Sequence, residues 1–516
     1  MASLPSLPRE LQDKIAINLC THCTPTTHTA HEKPDKLKPC LDPGSATFQY
    51  YYDEQENIGA LASLCLVSKA CHKFATPFLY HSPLATSNPH KASYVSLTRT
   101  ILQRPDLACH VSHLSRGGWY RGDESEEVPC QMLSPDDVEL FKAAVAKYYH
   151  EPDGGFTDVN DWPLMDNHAL DFDRDLQDRL GPDHLYAVTA MEHARFESAL
   201  VSLIMAACPN LEKIEIILGW HPFFRFPAPG TVLPHLKSLE VVYTMREQCN
   251  YLLNGLDGVD KILCAAPNLT RLTTWRLQNI IGGAGNYMTF RKPAEVLRLC
   301  VPWIWLKAIP VTLRELVLDH SELVHSDLAK LLNACPFMER IRIQLMAGKY
   351  NWRYAPDALQ GALVASPCAS TIRTLEIDPS MRLHAARTRD FMLGRGGAMA
   401  SLASLEALEE LEIDTTSIWL ANRERRNAEV LVNLLPASIR TFKLARGRDG
   451  LDRPKGLFAA VMELARWAPS QFPALKTVEI FGLDYDQAEK ARVAFEKHDV
   501  VFRFCPWARQ MPSWLA

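Results

Sequence analysis

The chain has 516 residues, a net charge of −5, 47% hydrophobic residues and 22% charged residues. These values are typical of a folded protein with more than one core, and they exclude a disordered chain. The negative charge argues against nucleic acid as a partner, because duplex binding normally needs a basic face. No apolar run approaches the roughly 20 residues that cross a bilayer, and the N-terminus lacks the pattern of a secretory signal. The 14 cysteines are scattered and indicate reduced thiols. We therefore expect an intracellular protein, cytoplasmic or nuclear, that contacts neither nucleic acid nor membrane.

An amphipathic helix is predicted at the N-terminus, in LPSLPRELQDKIAINL at 4–19. Its apolar stripe, with one residue in every four, consists of Leu7, Leu11, Ile15 and Leu19. Pro8 suits the first turn of such a helix. The apolar pattern resumes at 58–80, in IGALASLCLVSKACHKFATPFLY. Together the two segments predict about three short helices, a bundle too small to be stabilised by its own core alone. Apolar surface left on it is therefore expected to contact another protein.

A polar insertion, at about 21–57, separates these two helical segments. Five residues of types that bind metals lie in this insertion or directly before it, namely Cys20, Cys23, His28, His31 and Cys40. The two histidines are one residue closer than in the usual zinc finger, and the loop between the cysteine and histidine pairs is too short. We therefore predict a metal-free loop and no cofactor, with zinc binding as the alternative.

A second insertion, rich in aspartate, is predicted at about 150–184. Its acidic residues do not have the alternating spacing, glycine and closing glutamate of a calcium loop, so we interpret it as a solvated segment. The glycine cluster at 282–285 does not follow a strand as a phosphate-binding loop would. The chain contains no metalloprotease, nucleophile-elbow or phosphate-loop pattern. We therefore predict that it is not an enzyme; a site assembled from scattered residues is the enzymatic alternative.

One six-residue pattern, apolar-x-x-apolar-x-apolar, occurs nine times between residues 211 and 480. Its copies are LEKIEI at 211, LKSLEV at 236, LTRLTT at 269, LRELVL at 313, MERIRI at 338, IRTLEI at 372, LEELEI at 408, IRTFKL at 439 and LKTVEI at 475. The segments 296–301 and 110–115 are candidates for further copies. Each pattern predicts a strand, and helical patterns at 190–207, 325–335 and 484–498 lie between strands. One strand and one helix per unit predict an α/β solenoid, whereas an ordinary α/β sheet domain is the alternative.

These segments resemble two known families. The repeats resemble irregular leucine-rich repeats, although the asparagine or cysteine usual after the third apolar position is missing. The N-terminal segments LPRELQDKI and LASLCLVSKACHKFATPFLY resemble the two halves of an F-box, in the form common in fungi. The residues that match the F-box signature are Leu7, Pro8, Leu11, Ile15, Leu64, Leu66, Val67, Ser68 and Lys69. Cys71 departs from it, because a tryptophan or phenylalanine usually stands there.

The resemblance implies a two-part chain, with an all-α F-box module at 1–82 and a leucine-rich-repeat solenoid at 83–516. It also implies a function: the substrate receptor of an SCF-type cullin-RING ubiquitin ligase. The nine matching residues would bind a Skp-type adaptor, which joins a cullin, and the repeats would bind a target protein. The alternative is a non-catalytic scaffold that acts through its repeats without ubiquitination.

The target-binding face is predicted from strand geometry, because alternate residues of a strand point to opposite faces. The residues between the last two apolar positions are Glu215, Glu240, Thr273, Val317, Arg342, Glu376, Glu412, Lys443 and Glu479. We expect them on an exposed sheet with the residues that follow the third apolar position. The face should then have an apolar half with Trp275 and an acidic half with Glu376, Asp378, Glu412 and Asp414. An acidic half would favour a target with a basic segment.

Overall fold

The structure is a computed structural model. It describes residues 7–20, 23, 58–85, 92–116, 133–148, 200–218, 231–243, 260–275, 311–321, 325–345, 355–378, 397–419, 428–445 and 456–505. The chain divides into two compact units: unit 1 comprises Met1–Leu239 with Ala265–Pro267, and unit 2 comprises Glu240–Cys264 with Asn268–Ala516. The predicted domain boundary near residue 82 falls inside unit 1 and stays a prediction. The aspartate-rich insertion, the candidate repeat at 296–301 and all of 21–57 except Cys23 lie outside the described residues.

Helices and strands follow one another along the chain. The helices are α1 Arg9–Leu19, α2 58–67, α3 Lys69–His81, α4 Ala92–Gln103, α5 Pro105–Ala108, α6 Pro135–Tyr148, α7 200–207, α8 Asp260–Ala265, α9 His325–Ala334, α10 Pro356–Val364, α11 Thr415–Ile418, α12 Val430–Leu434, α13 Leu457–Gln471 and α14 Tyr485–Glu496. The strands are β1 Leu84–Ala85, β2 His113–Arg116, β3 Lys213–Leu218, β4 Ser238–Tyr243, β5 Arg271–Trp275, β6 Glu315–Ser321, β7 Arg340–Leu345, β8 Thr374–Asp378, β9 Glu410–Asp414, β10 Thr441–Ala445, β11 Thr477–Phe481 and β12 Val501–Cys505. None of the described helices is long and apolar enough to cross a membrane.

The strands of unit 2 from β5 to β12, which we call the strand ladder, pair in parallel and in chain order. Parallel neighbours need a crossover connection, and α9, α13 and α14 lie in three such connections. All nine predicted repeats coincide with strands, β3 to β11, and the candidate repeat at 110–115 contains β2. The strand prediction is therefore confirmed for these segments, and the architecture is a solenoid-like α/β fold with a parallel sheet.

The apolar positions of the repeats form the core of the strand ladder. One row across paired strands consists of Leu316, Ile341, Leu375, Leu411, Phe442, Val478 and Phe502. Six of these seven side chains are at most 1% exposed, and Phe502 is 8% exposed. A fully buried side chain of this size contributes roughly 1.5–3 kcal/mol, so the repeated pattern accounts for the stability of the array.

Backbone hydrogen bonds fix the entrance of each strand in the same way. The amide of Arg373 donates to the carbonyl of Glu339 at 2.8 Å, and that of Glu409 donates to the carbonyl of Arg373 at 2.8 Å. The amide of Arg440 then donates to the carbonyl of Glu409 at 2.7 Å. These donors are satisfied before each strand begins, and they hold neighbouring copies in one register.

Candidate functional site

The helical module, which comprises α1, α2 and α3, has a very small core. The buried hydrophobic side chains of this core are Ala16, Leu61, Cys71, Phe74 and Ala75. Leu19, Leu64, Cys65, Phe78 and Leu79 pack around them while remaining partly exposed. Phe74 is the largest fully buried residue of this cluster. A core of this size is smaller than what usually stabilises a module by itself, and the dependence of the module on a partner stays a prediction.

The nine residues that resemble the F-box signature lie at the surface or at the edge of this core. Leu66 and Val67, at the end of α2, are 87% and 67% exposed, and Leu11 on α1 is 45% exposed. The remaining six are exposed or half-buried: Leu7, Pro8, Ile15, Leu64, Ser68 and Lys69. Exposure of large apolar side chains is unfavourable unless a partner covers them. Their binding to an adaptor stays a prediction.

Two signature positions also organise the module itself. Ser68 begins α3 as its N-cap, and its hydroxyl accepts a hydrogen bond from the amide of Cys71 at 3.1 Å. The Cys71 side chain is fully buried against Phe74 and its neighbours. The departure from the F-box signature at Cys71 therefore changes the module's core.

Three metal-ligand side chains meet where α1 and α3 end. Cys20 directly follows α1 and is buried, and its carbonyl accepts a hydrogen bond from the amide of Cys23 at 2.9 Å. His81 is the last residue of α3. Its Nδ1 lies 3.8 Å from Sγ of Cys20 and 3.1 Å from Sγ of Cys23, and all three ligand atoms lie within 4.8 Å of one another. Of the five ligand-type residues noted in the sequence, Cys20 and Cys23 belong to this cluster, while His28, His31 and Cys40 lie outside the described residues.

The protonation of this cluster follows from its surroundings. Burial, together with the neighbouring thiol of Cys20, raises the pKa of Cys23 to about 12. Burial also lowers the pKa of His81, against the opposing charge of Glu212. The His81 imidazole is therefore neutral and the Cys23 thiol is protonated at neutral pH.

The predicted target-binding face differs in part from the expectation. Glu215, Glu240, Thr273 and Val317 are only 4–8% exposed, so the expectation that they lie on an open sheet is wrong. Asp414 is also buried, at 0% exposure, because α11 begins directly after β9. Its carboxylate accepts hydrogen bonds from the amide and the hydroxyl of Ser417 and caps that helix. Asp414 is therefore not part of an exposed acidic half.

The remaining part of this face carries both positive and negative side chains. Residues of paired strands follow one another as Arg342, Glu376, Glu412, Lys443, Glu479 and Arg503, which we call the charged row. Nε of Arg342 lies 3.2 Å from a carboxylate oxygen of Glu376, and Nζ of Lys443 lies 2.9 Å from one of Glu412. The two glutamates face each other in register, and each is paired with a cation on its other side. The acidic half predicted from the sequence is therefore neutralised at these positions.

Lys443 is the centre of the charged row. Burial lowers the pKa of its amine, but the hydrogen bond and charge of Glu412, with the charges of Glu479 and Glu376, outweigh burial and raise the pKa overall. The amine also lies 5.9 Å from the centre of the Phe481 ring. The side chains of Trp275 and Asp378 lie outside the described residues, although their backbones belong to β5 and β8. Binding of a target by Trp275, Glu376, Asp378 and Glu412 stays a prediction.

The chain matches no protein-family model and no curated protein.

Proposed function

We propose that the chain is a substrate-recognition subunit of an SCF-type ubiquitin ligase, in which the helical module is an F-box that binds a Skp-type adaptor. The observation that carries the proposal is the exposure of Leu66 and Val67, at 87% and 67%, at positions where the sequence resembles an F-box. A module with five buried core side chains gains stability when a partner covers such residues. No residue of the chain would take part in chemistry, because the ligase works by holding a target lysine near charged ubiquitin.

The strand ladder would belong to the irregular leucine-rich repeats and would bind the target. Its repeated buried strands support this assignment, since stacked copies present one continuous sheet edge or face to a partner. The side chains of Glu376 and Glu412 are 20% and 23% exposed, so a target can reach them. Their ion pairs with Arg342 and Lys443 make the charged row suited to a target segment of mixed charge, and they weaken the argument for a basic one.

The adaptor is tested with the double variant Leu11→Asp and Leu66→Asp in the full-length chain. Co-elution with a purified Skp-type adaptor should be lost, because two charges enter an apolar interface. The matched control is Val493→Asp on α14, whose side chain is 44% exposed, close to the 45% of Leu11. Retained binding by the double variant would contradict the F-box assignment. Capture of adaptor without cullin from cells would instead identify a scaffold.

The target is tested by affinity purification from cells with the proteasome blocked, followed by mass spectrometry. Glu376→Gln and Arg342→Gln form a matched pair, because each breaks the same ion pair but leaves a charge of opposite sign. A target with a basic segment would be captured less by the first variant and more by the second. Equal capture by both variants and the wild type would exclude the charged row as the binding surface.

A further inference from the structure

We propose that Cys20, Cys23 and His81 bind one zinc ion at the junction of α1 and α3. The inference does not rest on the proposed function, because it concerns the folding of the helical module whatever that module binds. The side chains come from two places in the chain: Cys20 and Cys23 at the C-terminal end of α1, and His81, the last residue of α3. The separation of 58 residues between Cys23 and His81 explains why local spacing predicted a metal-free loop.

The distances between the three side chains suit a tetrahedral ion. Zinc bonds of about 2.3 Å to sulfur and about 2.0–2.1 Å to nitrogen put neighbouring ligand atoms roughly 3.3–3.8 Å apart. The observed distances from Nδ1 of His81 are 3.8 Å to Sγ of Cys20 and 3.1 Å to Sγ of Cys23. Side-chain shifts of a few tenths of an ångström would therefore bring both nitrogen–sulfur distances to values that suit zinc. The fourth tetrahedral position is left for water or another donor.

The type of ligand selects zinc over other common divalent ions. Two thiolates and one imidazole are soft or borderline donors, whereas magnesium and calcium prefer oxygen ligands. The backbone holds the two cysteines together, because the amide of Cys23 donates a hydrogen bond to the carbonyl of Cys20 at 2.9 Å. The backbone of His81 is held by a further hydrogen bond, which the amide of Ser112 donates to the carbonyl of His81 at 3.1 Å.

The ion would link α1 to the end of α3 and to the chain just before β2. α1 has Ala16 as its only fully buried side chain in the module core, with Leu19 partly buried beside it. A structural ion commonly replaces the core that a small module lacks, and its binding free energy then becomes folding free energy. The helical module would therefore lose α1 first when zinc is removed.

The test measures zinc in the full-length chain, expressed without a polyhistidine tag and purified under reducing conditions without chelator. Elemental analysis should find about one zinc per chain. Cobalt added to the reduced, zinc-free chain should give visible bands of tetrahedral coordination and near-ultraviolet bands of thiolate-to-cobalt charge transfer. Treatment with a chelator should lower the melting temperature of the helical module, and added zinc should restore it.

The variants are His81→Ala and Cys23→Ser, each with a matched control. We expect zinc affinity to fall by roughly 100-fold or more, since even changes behind the ligands lower metal affinity about 10–100-fold. His72→Ala, an exposed histidine on the same helix, and Cys109→Ser, an exposed cysteine of unit 1, should keep their zinc. Should a variant fail to fold, the cobalt spectrum of the wild type decides the question.

Three results would overturn the proposal. The first is a wild-type chain that contains no zinc and gives no thiolate-to-cobalt band. The second is full zinc content in both His81→Ala and Cys23→Ser, which would mean that the ion binds elsewhere. The third is a Cys20–Cys23 disulfide in the purified chain with no metal binding after reduction, because a disulfide removes both thiolates from coordination.

Discussion

The helical module and the strand ladder bury their apolar side chains in different ways. In the strand ladder each repeat is covered by the repeats on both sides, and side chains such as Phe442 and Ile413 are 0% exposed. In the helical module five hydrophobic side chains form the buried core cluster, while Leu66 and Val67 at the end of α2 are largely exposed. The comparison indicates that the repeats of the ladder bury one another's apolar side chains, whereas the module leaves large apolar side chains exposed.

The same contrast holds for polar side chains. The charged row of the ladder pairs its glutamates with Arg342 and Lys443 inside the molecule. The module instead gathers Cys20, Cys23 and His81, whose donor atoms can take a cation from outside. The ion pairs of the ladder need no ligand to balance their charges. The stability of the module, in contrast, would depend on whether the cluster holds a metal ion.

The largest effect is expected for Phe74→Ala in the helical module. Removing a fully buried phenylalanine costs about 3–5 kcal/mol, which is as much as the core of a module this small supplies. Hydrogen exchange measured by mass spectrometry should show that α1, α2 and α3 lose protection while β9, β10 and β11 keep theirs. If both regions lose protection together, they form one cooperative unit and the comparison fails.

A large but local effect is expected for Phe442→Ala in the strand ladder. The loss is again about 3–5 kcal/mol in the free energy of unfolding, but neighbouring strands still cover the site on both sides. Guanidinium denaturation followed by circular dichroism measures the change. Phe337→Ala is the matched control, because that side chain is 52% exposed, and its effect should be several-fold smaller. Equal losses in the two variants would contradict the burial of Phe442.

A smaller effect is expected for Lys443→Met in the charged row. The change removes the cation that pairs with Glu412, which lies beside Glu376, and for half-buried charges of this kind we expect a loss of about 1 kcal/mol in the free energy of unfolding. Because the pKa of Lys443 is raised on folding, its contribution is complete below the pKa of the unfolded lysine, about 10.4, and is lost as pH rises through the higher folded value. The difference in the free energy of unfolding between wild type and the variant should therefore shrink in alkaline solution.

The measurement is chemical denaturation at neutral pH and again above pH 10.4, the unfolded lysine value, on wild type and Lys443→Met. Lys490→Met is the control, since this lysine is exposed on α14. A difference between wild type and Lys443→Met that does not shrink with rising pH would show that the amine's charge is not what stabilises the row.

The smallest effect on stability is expected for Leu66→Ser in the module. A side chain that is 87% exposed contributes little to folding, so the free energy of unfolding should change by less than about 0.5 kcal/mol. Leu61→Ser on the same helix is the contrasting variant. Leu61 is 1% exposed, so its replacement puts a serine hydroxyl into the core. Thermal melting of both variants measures the difference. A Leu66→Ser variant as unstable as Leu61→Ser would show that Leu66 packs inside the module.

Much of the fold could be predicted from the sequence, because strands and helices leave short periodic patterns. The nine six-residue copies all coincide with strands, and the predicted helix at 484–498 contains α14 Tyr485–Glu496. β12 was missed because its Phe502 and Phe504 alternate without the leading apolar residue of the template. Asp414 was misread because the rule of alternating faces takes no account of a helix that starts at the next residue.

The sequence by itself determined the strands, the buried rows of the ladder and the exposed apolar positions of the helical module, since each depends on residues a few positions apart. Only the tertiary structure decided which distant side chains meet. It pairs Glu376 with Arg342 across two strands, and it brings His81 to within 3.1 Å of Cys23. Such contacts depend on strand register and on how helices pack, and neither is encoded in local spacing.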